Sequence, residues 1–467
     1  MSLVIVIAAL AFLMWMAYKG HSVILFAPIA ALAAVLLTHP GLVAPVYSGL
    51  FMDKMVGFIK SYFPVFLLGA IFGKLMEMSG YARSIVSAVI KVVGARSAML
   101  TIVLVGALLT YGGVSLFVVV FAVYPFAAEM FRQGDIPKRL IPGTIALGAF
   151  TFTMDALPGT PQIQNIIPTT FFKTTGYAAP VLGTVGGVFV FGLGMLYLER
   201  QRRKAVAAGE GYGDGHLNEP HVFVDEGRSP HPVLALAPLV IVGVANLVLT
   251  NVIPTFYGSD TAFQSTVVGK PAPVTVPTAA NVAIWAVEGA LGLAIIFIVA
   301  TAFRTIREHF TEGVKPAIAG SLLATMNTAS EYGFGAVIAS LAGFGVAARG
   351  LTAIPDPLVR EAVSVNVLAG ITGSASGGMS IALAAMADSF IQGANAAHIP
   401  LEVMHRVAAM ASGGMDTLPH NGAVITLLAV TGLTHRQSYK DVFAMTVIKT
   451  MAVFLIIGIY YLTSHLG

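Results

Sequence analysis

Cysteine is absent from this 467-residue sequence, so disulfides, thiolate metal sites and thiol catalysis are excluded together. Charge is scarce too. Only 10% of residues are Asp, Glu, Lys or Arg, against about 25% in soluble domains, too few to cover the chain with a solvated surface. Long polar stretches are also missing. None exceeds about 35 residues, too short for a separate folded domain, which excludes an enzyme carrying an extramembrane catalytic domain. The His-Glu-x-x-His pattern of zinc proteases does not occur, and neither a metal nor a cofactor is expected. The net charge of +4 comes largely from basic loops, so it speaks to topology and gives no sign of a nucleic-acid partner.

Apolar runs are abundant: 57% of the chain is hydrophobic. Runs of about 20 residues, each long enough to cross a hydrocarbon core, fall near 2–18, 22–38, 56–77, 97–131, 139–172, 178–199, 233–250, 281–303, 314–330, 361–392, 403–434 and 441–463. The expected fold class is an all-α polytopic membrane protein in contact with lipid. The first run lacks a basic leader and a small-residue cleavage site and reads as a retained helix.

Basic residues in short loops set the orientation. Arg200, Arg202, Arg203 and Lys204 place the polar stretch 200–232 in the cytoplasm, where its Gly-rich composition reads as a flexible linker. Loop 251–280, whose sole basic residue is Lys270, falls outside. Arg304, Arg307 and Lys315 return the chain to the inside. Segment 97–131 is too long for one crossing, and it is flanked by Arg96 and by Arg132, Lys138 and Arg139. Both ends on one face predict a re-entrant hairpin with its tip at Tyr111-Gly112-Gly113-Val114-Ser115. Two short crossings or one tilted helix are the alternatives.

Three landmarks recur in the same order at nearly the same spacing. Gly112-Gly113-Val114-Ser115 is echoed by Gly377-Gly378-Met379-Ser380, Ile136-Pro137 by Ile399-Pro400, and Met154-Asp155-Ala156-Leu157-Pro158 by Met415-Asp416-Thr417-Leu418-Pro419. The chain thus reads as two related halves, and the orientation makes them inverted, as in secondary carriers with a midplane site. The expected order is N-terminal scaffold helices (1–55), a first repeat (56–199, hairpin 97–131, broken helix 139–172), the linker 200–232, connecting helices (233–313) and a second repeat (314–467, hairpin 361–392, broken helix 403–434).

Non-helical backbone cannot face lipid, so the interruptions at 112–115, 154–161, 373–380 and 415–422 must line a wet cavity or be buried in protein. Half-helix N-termini at such breaks favour an anion, and no Arg lies within these four segments. The expected substrate contacts are Gly112, Gly113 and Ser115 at the first tip, Gly159, Thr160, Gln162 and Asn165 at the first break, Ser374, Ser376, Gly377, Gly378 and Ser380 at the second tip, and His420 and Asn421 at the second break. At the second tip the competing reading is close helix packing through small residues; His420 is equally well read as a satisfied structural histidine. Asp155 and Asp416 are intramembrane carboxylates in equivalent positions. They are read as coupling-ion groups, with capping of the following half-helix as the competing role. Glu77, Glu129, Glu288, Glu331 and Asp388 have no clear repeat partners and read as helix-end or scaffold charges.

At the Tyr-Gly-Gly-Val-Ser tip (111–115), Ile-Pro (136–137), the Leu-Pro-Gly-Thr-Pro turn (157–161), the Gly-Ser-Ala-Ser tip (373–376) and the Leu-Pro-His-Asn-Gly turn (418–422), the sequence resembles the gluconate permease family. That family sits within a superfamily of ion-coupled anion transporters, and the resemblance runs over almost the whole chain. It implies uptake of hydroxy- or amino-substituted monocarboxylates such as gluconate, glycerate, D-serine or 3-hydroxybutyrate across the bacterial inner membrane. The implied coupling ion is H+, with Na+ as the alternative. The superfamily implies a scaffold that dimerises and an elevator-type transport domain of hairpins and broken helices. Gluconate carriers have a His- and Pro-rich first turn; Met-Asp-Ala-Leu-Pro-Gly-Thr-Pro here departs from it, and the sequence is more similar to the hydroxybutyrate permease subgroup. An intramembrane enzyme and an ion channel are the rivals from other classes.

Overall fold

Long apolar runs become helices because a helix pairs its backbone groups within one segment. The computed structural model describes residues 2–464 except 20, 94–96, 115, 220–229, 259, 266–271, 309, 345–353, 373, 416 and 420. The chain opens with α1 (Ser2–Tyr18), α2 (Val23–Thr38), the short α3 (Val43–Val46), α4 (Met52–Met78) and α5 (Tyr81–Val93). Segment 97–131 folds as two packed helices, α6 (Ala98–Tyr111) and α7 (Leu116–Gln133). Segment 139–172 breaks into α8 (Ile141–Ala149), α9 (Phe152–Asp155) and α10 (Ile163–Phe172), followed by α11 (Pro180–Ala207) and α12 (Pro232–Tyr257).

The second half is laid out similarly. After α13 (Thr278–Ile306) and α14 (Phe310–Ser340), segment 361–392 folds within another packed pair, α15 (Pro357–Thr372) and α16 (Ala375–Ala396). Segment 403–434 is split into α17 (Leu401–Ser412) and α18 (Gly422–Thr431), and α19 (His435–Ser464) ends the described chain. Among the described residues five helical stretches are long and apolar enough to cross a membrane: Pro40–Met78, Pro180–Ala207, Pro232–Tyr257, Asn281–Ile306 and His435–Ser464. Their outward faces carry Val181, Val188 and Leu196 on α11 and Val240, Val244 and Leu247 on α12, all exposed. Water would penalise such a surface and lipid would not.

Two expectations need correction. The fold is not purely helical: β1 (Asp260–Ser265) pairs antiparallel with β2 (Ala272–Pro277), Phe263 opposite Val274 and Thr261 opposite Val276. β-Branched and aromatic residues favour extended backbone, and loop 251–280 lies outside the apolar runs that impose helix. Nor is 200–232 a flexible linker throughout. Helix α11 continues to Ala207, and the next dozen residues form a strap on the ends of α7 and α8. Arg139 grips both oxygens of Glu210, at 2.7 and 2.9 Å. Glu219 accepts from Tyr212, Arg132 and the buried Lys138. Asp135 accepts from the Tyr212 amide.

The strap carboxylates lie outside the spanning segments and share one pattern. Hydrogen bonding by Arg139 holds Glu210 below the usual carboxylate range. Burial pushes Glu219 up, but hydrogen bonds from Lys138, Tyr212 and Arg132 outweigh it and leave it lowered. Lowered folded values mean that both groups support the docked strap above about pH 4, and that support is lost as pH falls through those values. Glu219→Gln leaves Lys138 buried without its counter-charge. It is expected to cost about 1–3 kcal/mol and to speed Glu-specific proteolysis after Glu210. Unchanged cleavage would show that the strap is held elsewhere.

Candidate functional site

The site is built from two tips and two breaks. At the first tip α6 ends at Tyr111 and the chain turns through Gly112 and Gly113. Gly113 has φ +96°, which side chains rarely adopt, and a Cβ there would sit 3.2 Å from Pro161 Cγ. The tip is tied to the first break. Tyr111 Oη donates to Pro158 O at 2.8 Å, and Gln162 Nε2 donates to Thr110 O at 2.7 Å and Val114 O at 3.3 Å. The Gln162 amide is therefore occupied by backbone rather than directed at a cavity.

The loop from Asp155 to Ala178 is held by one guanidinium. Arg406 on α17 is fully buried, and all five of its N–H groups are used. Nε and Nη2 donate to Ala178 O at 3.2 and 2.9 Å, Nη2 also to Gly176 O at 3.5 Å, and Nη1 to Asp155 O at 2.8 Å and Asn165 Oδ1 at 3.0 Å. A planar fork suits carbonyls that surround it. Asn165 is equally committed: its Nδ2 donates to Thr160 O and Gly176 O at 2.9 and 2.8 Å. With Asn165 Oδ1 fixed as an acceptor, His405 donates to it through Nε2 at 3.3 Å and accepts from Thr174 Oγ1 through Nδ1 at 2.6 Å. Neutral imidazole satisfies both.

Asp155 lies where the two breaks meet. Its Oδ2 is 3.5 Å from Lys449 Nζ on α19, both side chains are buried, and Lys449 also donates to Phe150 O at 2.8 Å. A Cβ on Gly413, at the start of the second break, would fall 2.0 Å from Asp155 Oδ2. Asp155 ends α9, whereas the residue at the N-cap of α10 is Gln162, so Asp155 does not cap the half-helix that follows. Among the described residues, the formal charges of Arg406, Lys449 and Asp155 sum to +1, and all three side chains are buried. A buried positive cluster stabilises an anion beside it.

The second tip is formed differently. Ser374 caps α16, its Oγ accepting from Gly377 N at 3.1 Å, and Ser376 Oγ lies 3.5 Å from it. Gly378 lets α16 close on α15, since a Cβ would come within 2.2 Å of Ala369 backbone. Gly377 gives way to the carboxyl of Glu331 on α14. Asn421 caps α18 by accepting from Ala423 N and Val424 N at 2.7 and 3.1 Å. Asn366 of α15 abuts Gly414 in the second break. Ser115, Asp416 and His420 lie outside the described residues.

Several buried polar atoms have no hydrogen-bond partner among the described residues: the hydroxyls of Thr110, Thr160, Ser330 and Ser380, Gln164 Oε1, both amide atoms of Asn366, Glu331 Oε2 and both oxygens of Glu361. Such atoms are rare in folded proteins and mark a ligand, water or ion. Thr110, Thr160 and Gln164 belong to the first tip and break and Asn366 and Ser380 to the second helix pair, and α10, which bears Gln164, packs against α16, which bears Ser380.

A Bacillus subtilis (strain 168) protein described as the uncharacterized transporter YxjC is 58% identical over 472 residues, spanning 99% of this chain and 100% of that protein. The chain belongs to this transporter family. No family model matches the sequence. Among solved structures, Neisseria gonorrhoeae MtrF, described within a class of antimetabolite efflux pumps, superposes with a TM-score of 0.53 at 14% identity, covering 90% of this chain and 84% of that one. The Alcanivorax borkumensis YdaH transporter gives 0.48 at 16% identity, over 90% and 88%. The protein is a multi-pass membrane transporter and not an enzyme.

Of the transporter's expected contact residues, Gln162 and Asn165 act on backbone, Gly113, Gly159, Gly377 and Gly378 provide close approach, and Thr160 and Ser380 keep unpartnered hydroxyls. His405, Arg406 and Lys449 are not among the residues expected from the sequence, which gives Glu331 only as a helix-end or scaffold charge. The available signal was the same for all four: an ionisable group within an apolar run.

Proposed function

We propose that the transporter is a secondary active carrier that brings a short hydroxy monocarboxylate into a bacterial cell across the inner membrane, driven by protons, with D-3-hydroxybutyrate the leading substrate. The observation that carries this reading is the buried group Arg406, Lys449 and Asp155, of formal charge +1 among the described residues, in a chain whose tips and breaks also hold the unpartnered hydroxyls of Thr110, Thr160 and Ser380 and the amide of Asn366. A carboxylate would meet the charge, and its own hydroxyl would meet the orphaned atoms. The motif resemblance to gluconate permeases at both tips and both turns supports the same substrate class. The repeated landmarks support two inverted halves, 56–199 and 314–467. In this reading the helix pairs and broken helices form a transport domain that moves as an elevator against a dimeric scaffold, which takes in 1–55, the connecting helices 233–313 and α14.

The likeness to MtrF is one of fold, so direction rests on the family resemblance and is read by the same assay. Purified transporter in proteoliposomes, given labelled 3-hydroxybutyrate, gluconate, lactate and citrate under imposed proton or sodium gradients, is expected to accumulate 3-hydroxybutyrate with an inward proton gradient. Preference for gluconate or for a sodium gradient would select the corresponding alternative. No gradient-driven accumulation of any carboxylate would sink the proposal.

A further inference from the structure

We propose that Glu331 is the side chain that carries the coupled proton, a role that rests on the proton-driven reading above. Glu331 lies in the C-terminal third of α14, is 4% exposed, and its Oε2 has no hydrogen-bond partner among the described residues. The carboxyl lies against the second tip: a Cβ on Gly377 would be 1.7 Å from Oε2 and 3.1 Å from Oε1. Gly377 belongs to the first turn of α16, so the carboxyl faces that helix's N-terminal end, and the unpartnered Ser380 hydroxyl follows one turn on along the same helix. The neighbouring Ser330 hydroxyl is unpartnered as well.

No described basic side chain on the packed elements supplies a counter-cation at this position; the α16 N-terminus offers only the partial charge of a helix dipole. α14 packs on α2, α4 and α16 and on the turn that precedes α4. Helix α2 has no ionisable residue. On α4, Asp53, Lys54 and Lys60 are exposed, Lys74 pairs with Glu77, and Tyr62 donates to Thr170. Tyr47 in the preceding turn is exposed, as are Asp388 on α16 and Glu312 and Lys315 on α14 itself. Tyr332 packs its ring on Phe58 and Phe171. An ionised carboxylate buried without a cation is costly, and the group avoids that cost by holding a proton. Asp155, by contrast, already faces Lys449.

The placement also supplies access. Glu331 stands on one element and its cover, Gly377, on another, at a seam where the tip moves against α14 in the elevator reading. With the tip closed the carboxyl is sealed. When the tip shifts, the carboxyl meets water on one side of the membrane, where the carboxylate takes up one proton, or on the other, where the carboxyl gives it up.

The test compares wild type with Glu331→Gln and Glu331→Asp in proteoliposomes, using whichever of 3-hydroxybutyrate, gluconate, lactate and citrate wild type accumulates. Two quantities are read: accumulation under an inward proton gradient, and exchange of labelled for unlabelled substrate at equal pH. Glu331→Gln is expected to keep exchange within about threefold while accumulation and substrate-driven proton entry fall at least tenfold; Glu331→Asp is expected to retain coupling at a lower rate. Gln protein that still accumulates substrate and admits protons as wild type does would overturn the assignment. Loss of exchange in both variants would overturn it too, by making Glu331 a packing residue. Wild type that accumulates substrate without a proton gradient would instead refute the proton-driven reading, whatever the variants do.

Discussion

Arg406→Lys is expected to cost the transporter about 2–6 kcal/mol of stability, at about 1–3 kcal/mol for each buried acceptor left unpaired. The guanidinium serves four acceptors at once: Ala178 O, Gly176 O, Asp155 O and Asn165 Oδ1. An ammonium has three donors on one atom and cannot span acceptors arranged around a plane. Because these acceptors pin both ends of the first break, their loss should also loosen the positions of Thr160 and Gln162. Thermal unfolding of the detergent-purified protein reads the first effect, and substrate exchange in liposomes reads the second. A variant that melts like wild type yet fails to bind substrate would make Arg406 a substrate ligand instead of a clamp.

The second large effect concerns the only described ion pair in which both side chains are nearly fully buried, Asp155 with Lys449. Lys449→Met removes the described cation from the Asp155 carboxylate and should cost roughly 3–5 kcal/mol, the usual penalty for removing one partner of a buried pair. Asp155→Asn combined with Lys449→Met should regain most of that loss, since no uncompensated charge remains. The charge count separates function from stability. Lys449→Met lowers the cluster from +1 to about 0, whereas the double variant restores about +1 through Arg406. The double variant is therefore expected to transport better than Lys449→Met alone. Strictly additive stability losses in a double-mutant cycle would show that the two side chains do not interact.

Much of the layout was readable from residue order. Long apolar runs with Gly and Pro at their centres could only be helices with buried interruptions, and helices do end at Tyr111, Asp155, Thr372 and Ser412. Glycine positions at the tips were legible because a turn and a close approach both need a missing Cβ, as Gly113 and Gly378 illustrate. Side-chain partners were not legible. Lys449 and Asp155 are far apart in sequence, and only packing of α19 against α8 and the adjoining break makes them a pair. Gln162 and Asn165 looked like substrate contacts because polar residues at a break invite that reading; the backbone around the break consumes them first. Glu331 has no repeat partner in the sequence, and its neighbour Gly377 stands on another helix, so sequence order does not bring the two together. The ordered strap at Glu210 and Glu219 was hidden by its composition, since a Gly-rich polar stretch does not reveal which basic residues it will meet.

The absence of native cysteine allows the site's location to be tested in an otherwise unreactive protein. Ser376→Cys places one thiol at the second tip, where the serine is partly exposed and its hydroxyl faces Ser374. Its rate of modification by a small charged thiosulfonate should fall at least fivefold in saturating transported carboxylate and stay unchanged in sulfate. If the variant still transports that carboxylate while its labelling rate is indifferent to it, the substrate does not bind between the two tips and breaks.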